Sequence, residues 1–405
     1  TDTGETKEVP VSPDGSFAGY VFKTIADPYT GKLTIFKAIK GSLNSDSTIF
    51  NVTRSAKEKI GQILKIEGKN QKPINAGVAG DILALAKLKE TTTGDTICVD
   101  KDVWEFEKFR VPSPAIFYAI VPKSKGDEDK IASSLARLQE EDPTIQLRRD
   151  EQTREFIISG MGQIHLEVTL EKLKRKFGVE VELKTPKVPY KETIKGRTRV
   201  QGKFKRQSGG RGQYGDTHLE IEPQPRGAGF LFEDKIVGGV VPKNYIPAVE
   251  KGIVEAMVEG VLAGYPVVDV KVALVDGSFH AVDSSDMAFK IAASMGFKKG
   301  FMEANPILLE PVMKVEITVP EEVQGDIIGD LNSRRGRVLG MDPKGRNQVI
   351  RALVPMSEIL DYDHTLKSIT SGRGSFTMEL SSYEELPAFL SEKVIAASKT
   401  GKEEE

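Results

Sequence analysis

Apolar and polar positions along the chain change period several times, and the changes outline four segments. Up to about residue 110 the pattern is β. Residues 18–22 and 32–39 are rich in β-branched and aromatic side chains, and Leu33, Ile35, Lys37 and Ile39 place a mostly apolar face at period 2. Turn chemistry recurs at Pro28-Tyr29-Thr30-Gly31, Asn75-Ala76-Gly77 and Thr93-Gly94-Asp95, with no long helical period between. Short strands separated by turns predict a small β-barrel over 1–110. Trp104, the only tryptophan, is read as packing.

Pro112-Ser113-Pro114 marks a boundary. Over 111–187 a strand at 116–120 precedes a helix from about Asp127, whose stripe is Ile131, Leu135 and Leu138. A hairpin of 144–147 with 156–159 follows, then a helix with Leu166, Leu170, Leu173 and Phe177 on one face and Gly178 as its cap. A strand at 179–183 completes βαββαβ, the ferredoxin-like order. Residues 188–308 open on strands near 197–205 and 218–223. A helix from Tyr245 carries Val249, Ile253 and Met257, and Gly260 and Gly264 end it. A strand at 267–274 leads to a last helix starting at Ser284 or Ser285, with Met287, Ile291 and Met295 as its stripe. Residues 309–390 repeat βαββαβ: strand 314–319, helix 321–331, hairpin 337–341 with 348–354, helix 357–366, strand 375–380. Residues 391–405 read as a C-terminal tail, its acidic end frayed. The expected fold class is therefore multidomain β and α+β: a β-barrel, a ferredoxin-like domain, an α/β domain and a second ferredoxin-like domain.

Composition agrees with a folded chain: of 405 residues, 39% are hydrophobic and 29% charged. No apolar run approaches the roughly 20 residues that cross a bilayer. The single cysteine, Cys98, excludes an internal disulfide and a cysteine zinc site. His165, His218 and His364 show no metal-ligand spacing, so no metal is expected, and no catalytic residue is assigned. The formal net charge of −2 argues against a polyanionic partner only on average. Between Thr193 and Gly215 there is no acid, while Lys195, Arg197, Arg199, Lys203, Lys205, Arg206 and Arg211 are present.

That basic stretch ends in Gly210-Arg211-Gly212-Gln213-Tyr214-Gly215, literally G-x-G-x-x-G. A dinucleotide site needs the glycines to open a helix. Here residues 216–222 alternate as a strand, so the glycines sit at a hairpin tip. Such a tip is either a solvated basic hairpin or a phosphate-contacting ribbon, in which Gln213 and Tyr214 add a hydrogen-bonding group and a stacking face for RNA. A second candidate loop holds Ser278, His280, Asp283, Ser284, Ser285 and Asp286. A Ser–His–Asp triad there lacks an oxyanion motif, and helix capping is the plainer role. A third is Ser333-Arg334-Arg335-Gly336-Arg337 at a helix end, with Gly372-Arg373-Gly374 in the same domain. Those arginines suit a helix dipole or a phosphate. No G-x-x-x-x-G-K-[ST] occurs.

Several runs resemble elongation factor G, a translational GTPase family. Asp27-Pro28-Tyr29-Thr30-Gly31-Lys32, Ala79-Gly80-Asp81 and Thr93-Gly94-Asp95-Thr96 resemble its β-barrel second domain. Glu141-Asp142-Pro143-Thr144 and Gly160-Met161-Gly162-Gln163-Ile164-His165 resemble its third. Gln207-Ser208-Gly209-Gly210-Arg211-Gly212-Gln213-Tyr214-Gly215 and Val282-Asp283-Ser284-Ser285-Asp286-Met287 resemble its fourth, and Asp330-Leu331-Asn332-Ser333-Arg334-Arg335-Gly336 its fifth. The resemblance implies an elongated fourth domain shaped like a tRNA anticodon arm. It implies a ribosome-binding, monomeric cytoplasmic factor that moves tRNA and mRNA by one codon, contacting both subunits. Residues 207–215 with His280, Asp283, Ser284 and Ser285 would meet tRNA, mRNA and small-subunit RNA in the decoding site. Ser333, Arg334, Arg335 and Arg373 would face large-subunit RNA. The family's GTP-binding domain is not in this sequence, so GTP and Mg are expected only in such a domain, and the chain reads as a fragment or processed form. Gln163 in place of Glu, and Asp361-Tyr362-Asp363-His364 in place of Gly-Tyr-Ala-Thr, imply a divergent paralogue, with ribosome recycling or protection as the alternative role.

Overall fold

A computed structural model describes residues 8, 10–27, 31–68, 70–99, 105–112, 114, 116–124, 126, 128–207 and 212–401. Pro28, Tyr29, Thr30, Trp104 and the acidic end 402–405 therefore lie outside the described residues. The chain forms two compact units, Thr1–Pro186 and Lys187–Glu405.

The first unit opens with β1 (Ala18–Asp27), β2 (Gly31–Lys40), β3 (Ser42–Asn44), β4 (Thr48–Asn51), β5 (Ala56–Lys59), β6 (Ile63–Glu67), β7 (Asn70–Ile74), β8 (Ala76–Val78), β9 (Ile82–Ala86) and β10 (Thr96–Cys98). Eight of them make one sheet, β5-β4-β10-β1-β2-β9-β6-β7, which does not return on itself; β3 and β8 pair separately. Phe17, Val21, Phe36, Leu43, Ile49, Ile63, Leu85 and Ile97 fill its interior. Period 2 in β2 is only half the pattern. Leu33 and Ile35 join Ala84 in a cluster of their own, while Phe36 and Ala38 point to the main core. Both faces of this strand are covered, and Lys37 is exposed rather than part of an apolar face.

The ferredoxin-like part follows: β11 (Ile116–Pro122), α1 (Glu128–Glu141), β12 (Gln146–Arg149), β13 (Phe156–Gly160), α2 (Gln163–Phe177) and β14 (Val181–Lys184), with sheet order β12-β13-β11-β14. Ile131, Leu135, Leu138, Leu166 and Leu173 are at most 1% exposed, so the 3.6-residue stripes do face the sheet. Gly178 caps α2 at φ 67°, where a side chain would be strained. His165 links two turns: its Nδ1 accepts from the Met161 N–H and its Nε2 sits 3.0 Å from Asp142 Oδ2. Burial alone would raise the Asp142 carboxyl, but the Thr144 and His165 hydrogen bonds hold it below the ordinary aspartate range.

The second unit contains β15 (Lys191–Ile194), β16 (Thr198–Arg206), β17 (Gln213–Pro223), β18 (Phe230–Asp234), α3 (Ile246–Glu259), β19 (Val270–Ser278) and α4 (Asp286–Glu303). It continues with β20 (Pro306–Pro320), α5 (Gln324–Ser333), β21 (Arg337–Lys344), β22 (Asn347–Pro355), α6 (Met356–Ile359), α7 (Tyr362–Thr370), β23 (Ser375–Glu385) and α8 (Ala388–Gly401). One sheet runs β16-β17-β19-β18, and α3 and α4 cover one of its faces through Val249, Ile253, Phe289, Phe297 and Phe301. The other sheet runs β15-β20-β22-β21, with β23 also on β20.

Four expectations change here. Met287 and Met295 are 56% and 49% exposed; the buried stripe of α4 is Ala288, Phe289, Ala292, Ala293, Gly296, Phe297, Gly300 and Phe301. Small residues face inward there because β16 lies against the helix backbone: a Cβ on Gly202 would come 2.2 Å from the Ala292 carbonyl. The helix expected at 357–366 is two, α6 and α7. Residues beyond 390 continue α8, where Leu390, Val394 and Ile395 pack with Tyr190, Leu262, Tyr265 and Leu308. The division at 308/309 falls inside the single strand β20.

β15 was not apparent in the sequence, and its Glu192 explains why. This carboxylate is fully buried yet accepts backbone N–H bonds from Val261, Leu262, Ala263 and Tyr265 at 2.7–3.0 Å. A charge in a strand looks like a solvated position, whereas four donors make this one a core group.

Candidate nucleic-acid interface

The β16–β17 hairpin is built by register. Val200 and Leu219 face α4, and Arg199, Lys203 and Lys205 alternate to the open face. Ser208, Gly209, Gly210 and Arg211 lie outside the described residues. Gln207 is exposed before the tip, and Gly212 and Gln213 follow it. Gly215 is a strand residue: a Cβ there would stand 2.4 Å from the Ala288 carbonyl. Close packing against α4 accounts for this glycine, and no helix opens after the motif, so a dinucleotide cradle is not formed.

The second loop, 279–285, lies beside the hairpin tip. The Gly212 N–H donates to Asp283 Oδ1 at 3.0 Å, and the Tyr214 N–H donates to the Asp283 carbonyl at 2.9 Å. Ser284, 5% exposed, donates its hydroxyl to the Tyr214 carbonyl and accepts the His280 N–H, both at 2.9 Å. The hydroxyl thus works as a rivet, and it makes no bond to the His280 ring that a triad would require. Ser285 caps α4, accepting the Ala288 N–H at 3.3 Å. Beneath the tip Tyr214 Oη meets Ser278 Oγ at 2.7 Å, and Ser278 donates to Asp216 Oδ2 at 2.7 Å. Asp216 also accepts from Gln201 at 2.8 Å.

His280 is half-exposed. Its Nδ1 lies 3.2 Å from Asp283 Oδ2 and 3.2 and 3.4 Å from the Asp283 and Val282 N–H groups, which holds the ring against the turn. Nε2 has no protein partner among the described residues. The loop therefore offers a ring nitrogen at the same end as the hairpin.

The seven cations are not equivalent. Lys195 pairs with Glu385 at 2.6 Å, Arg197 lies 3.9 Å from Glu222, and Arg199 lies 3.8 Å from Glu220. Glu220 and Glu222 sit on the paired strand β17 and Glu385 on β23, where a linear reading of 193–215 does not meet them. Lys203, over the Tyr214 ring at 5.7 Å, and Lys205 and Arg206 have no acidic partner among the described residues. Positive charge along the open face thus rises toward the tip.

The third candidate differs. Arg334 donates to Asp330 at 2.9 Å, the Glu358 carbonyl at 2.7 Å and Thr365 at 2.9 Å. Arg335 grips Glu310 at 2.5 and 3.0 Å and Glu358 at 3.1 Å. The charge and hydrogen bonds of Glu310, with those of Glu358, outweigh burial and hold the Arg335 guanidinium above its ordinary value. Ser333 donates to the Asp330 carbonyl, and exposed Arg373 pairs with Glu322 at 2.6 Å. Both internal arginines join elements of their own sheet and helices. Among the described residues no cluster of His, Cys, Asp and Glu could hold a metal ion, and no helix is long and apolar enough to cross a membrane.

Four sheet-built segments thus follow one another, and in the third a hairpin carries Lys203, Lys205 and Arg206 toward its end. Family models match the chain almost end to end: elongation factor G domain 2 over 16–100, domain III over 111–185, domain IV over 186–305 and the elongation factor G C-terminus over 307–394. The chain belongs to the elongation factor G family. No GTP-binding domain is among the matched models. A crystal structure of a protein from Thermus thermophilus is similar, with TM-score 0.82 and 38% identity over 96% of this chain. The match spans 58% of that other chain.

Proposed function

We propose that this chain is the ribosome-binding part of a GTP-dependent elongation factor that promotes movement of tRNA and mRNA, its hairpin tip entering the decoding site. The supporting observation is the riveting of loop 279–285 to the hairpin beside cations that lack internal partners. Gln207, the glycine-rich tip through Gly215, His280 and the Asp283–Ser285 turn act together. Backbone N–H groups and cations meet phosphates, and His280 and Gln213 supply directed hydrogen bonds. The chain itself performs no chemistry in this reading. GTP and Mg bind a separate GTPase domain, and the factor works as a cytoplasmic monomer. Ser333 and Arg373 are the more accessible residues for a large-subunit contact. Translocation follows from position: the tip occupies space vacated by tRNA and bars its return.

In the complete factor, His280→Ala should slow translocation about tenfold while ribosome-stimulated GTP hydrolysis stays within twofold. Equal loss of both rates would sink the assignment of the tip. Ribosome splitting measured with recycling factor separates this role from recycling: a factor that splits subunits but does not translocate belongs to the alternative.

A further inference from the structure

We infer that Ser278 is a positioning residue of the hairpin: by occupying Asp216, and by holding the Tyr214 hydroxyl, it keeps Lys203 from closing on its own sheet and leaves that ammonium for an external phosphate. This rests on the reading of the tip as RNA-facing. Three strands bring the group together. Lys203 on β16 stands opposite Asp216 on β17, and Asp216 stands opposite Ser278 on β19. Directly opposed residues of an antiparallel pair share a face, with Cβ atoms about 5 Å apart, well within reach of a lysine and an aspartate. Gly202 and Gly215, which alternate with this row, press on the α4 backbone, so the row lies on the open face. The sequence thus sets up a cross-strand ion pair that the structure does not make. Lys203 has no acidic partner among the described residues and lies over the Tyr214 ring at 5.7 Å instead.

The bonds of Asp216 explain this. It is 5% exposed although it stands on the open face, and both of its oxygens are taken. Oδ1 accepts from Gln201 Nε2 at 2.8 Å, and Oδ2 accepts from Ser278 Oγ at 2.7 Å. A serine hydroxyl carries one hydrogen. Ser278 gives it to Asp216, so the 2.7 Å contact between Tyr214 Oη and Ser278 Oγ is donated by the tyrosine. The row therefore runs from Tyr214 through Ser278 to Asp216, and it pins the ring on which Lys203 rests. Other acids at this end are engaged or turned away. Glu220 lies 3.8 Å from Arg199, and Asp276 stands opposite His218 and accepts the Gly277 N–H. Asp283 accepts the Gly212 N–H and lies 3.2 Å from the His280 ring. Exposed Asp234 is on β18 at the far edge of the sheet, and exposed Asp286 opens α4 on the opposite face. Asp216 is thus the carboxylate placed to capture Lys203. Removing the Ser278 hydroxyl frees one of its oxygens and loosens the ring, and Lys203 then closes across the strands. A neutral truncation deletes a phosphate contact without deleting a cation.

The test is ribosome binding by the complete factor, followed as log affinity against log salt. Lys203→Ala should flatten the slope by about one unit, and Ser278→Ala should do the same. Adding Ser278→Ala to Lys203→Ala should change the slope no further. Two variants separate positioning from a general loss of structure. Ser278→Thr keeps the hydroxyl, and Ser278→Ala combined with Asp216→Asn removes the charge that captures Lys203. Both should return the slope to that of the unaltered factor. If Lys203→Ala flattens the slope and Ser278→Ala does not, or if Asp216→Asn fails to restore it, the positioning role is overturned and the reading of the tip stands. An unchanged slope in Lys203→Ala overturns that reading at this lysine, and the inference with it.

Discussion

Two arginine- and lysine-rich regions of the second unit have opposite fates. At residues 334–335 each guanidinium finds carboxylates and carbonyls of its own domain. At the end of the β16–β17 hairpin Lys203, Lys205 and Arg206 find none among the described residues. Both look like phosphate grips in sequence. What separates them is the neighbouring strand: Glu310 on β20 lies buried opposite Arg335, whereas Tyr214 and Gln213 lie opposite Lys205 and Arg206. A basic run identifies a nucleic-acid surface only after its internal acids are counted.

The sharpest test removes a partnered arginine. Arg335→Ala leaves Glu310, 3% exposed, without its counter-charge, and should cost about 3 kcal/mol of unfolding free energy, read by urea denaturation. A loss below about 0.5 kcal/mol would return Arg335 to the phosphate-contact class. Next comes Lys205→Ala, which should leave stability within about 0.5 kcal/mol. Ribosome affinity should fall, and the slope of log affinity against log salt should flatten by about one unit. An unchanged slope would break the contrast from the other side. The smallest effect concerns Asp142 in the first unit. Its folded-state pKa is lowered, so its contribution to stability is present above the unfolded aspartate value and is lost as pH falls through the lower folded value. Asp142→Asn should flatten the acid limb of the stability curve by a few tenths of a kcal/mol, since the pair is partly solvated.

Most elements were legible because their apolar periods agree with their tertiary surroundings. The stripes of α1, α2 and α3 are examples, as are both βαββαβ orders. Two failures share a physical root, burial next to backbone. In α4 glycines and alanines lie against β16 while Phe289, Phe297 and Phe301 fill the core, so the larger Met287 and Met295 mark the wrong side. Glu192 hides β15 because its partners are four N–H groups with no sequence signature. At the site, loop 279–285 was visible as polar residues before a helix. Its attachment to Tyr214 depends on a contact between residues 70 apart, which the sequence does not signal.

β20 is fifteen residues, roughly 50 Å of extended chain. The tip-bearing sheet is connected to it at Pro306, and the other connection enters through β15, which pairs with the same end of β20. A load on the hairpin therefore enters β20 at its Pro306 end, and its component along the strand meets the ladders. There β20 is held from Val312 to Pro320 by β22 and from Leu309 to Thr318 by β23. Ladder hydrogen bonds run perpendicular to that axis and are loaded together in shear rather than opened one by one. The hairpin is thus mounted like a blade on a long tang, gripped along its length by two neighbouring strands.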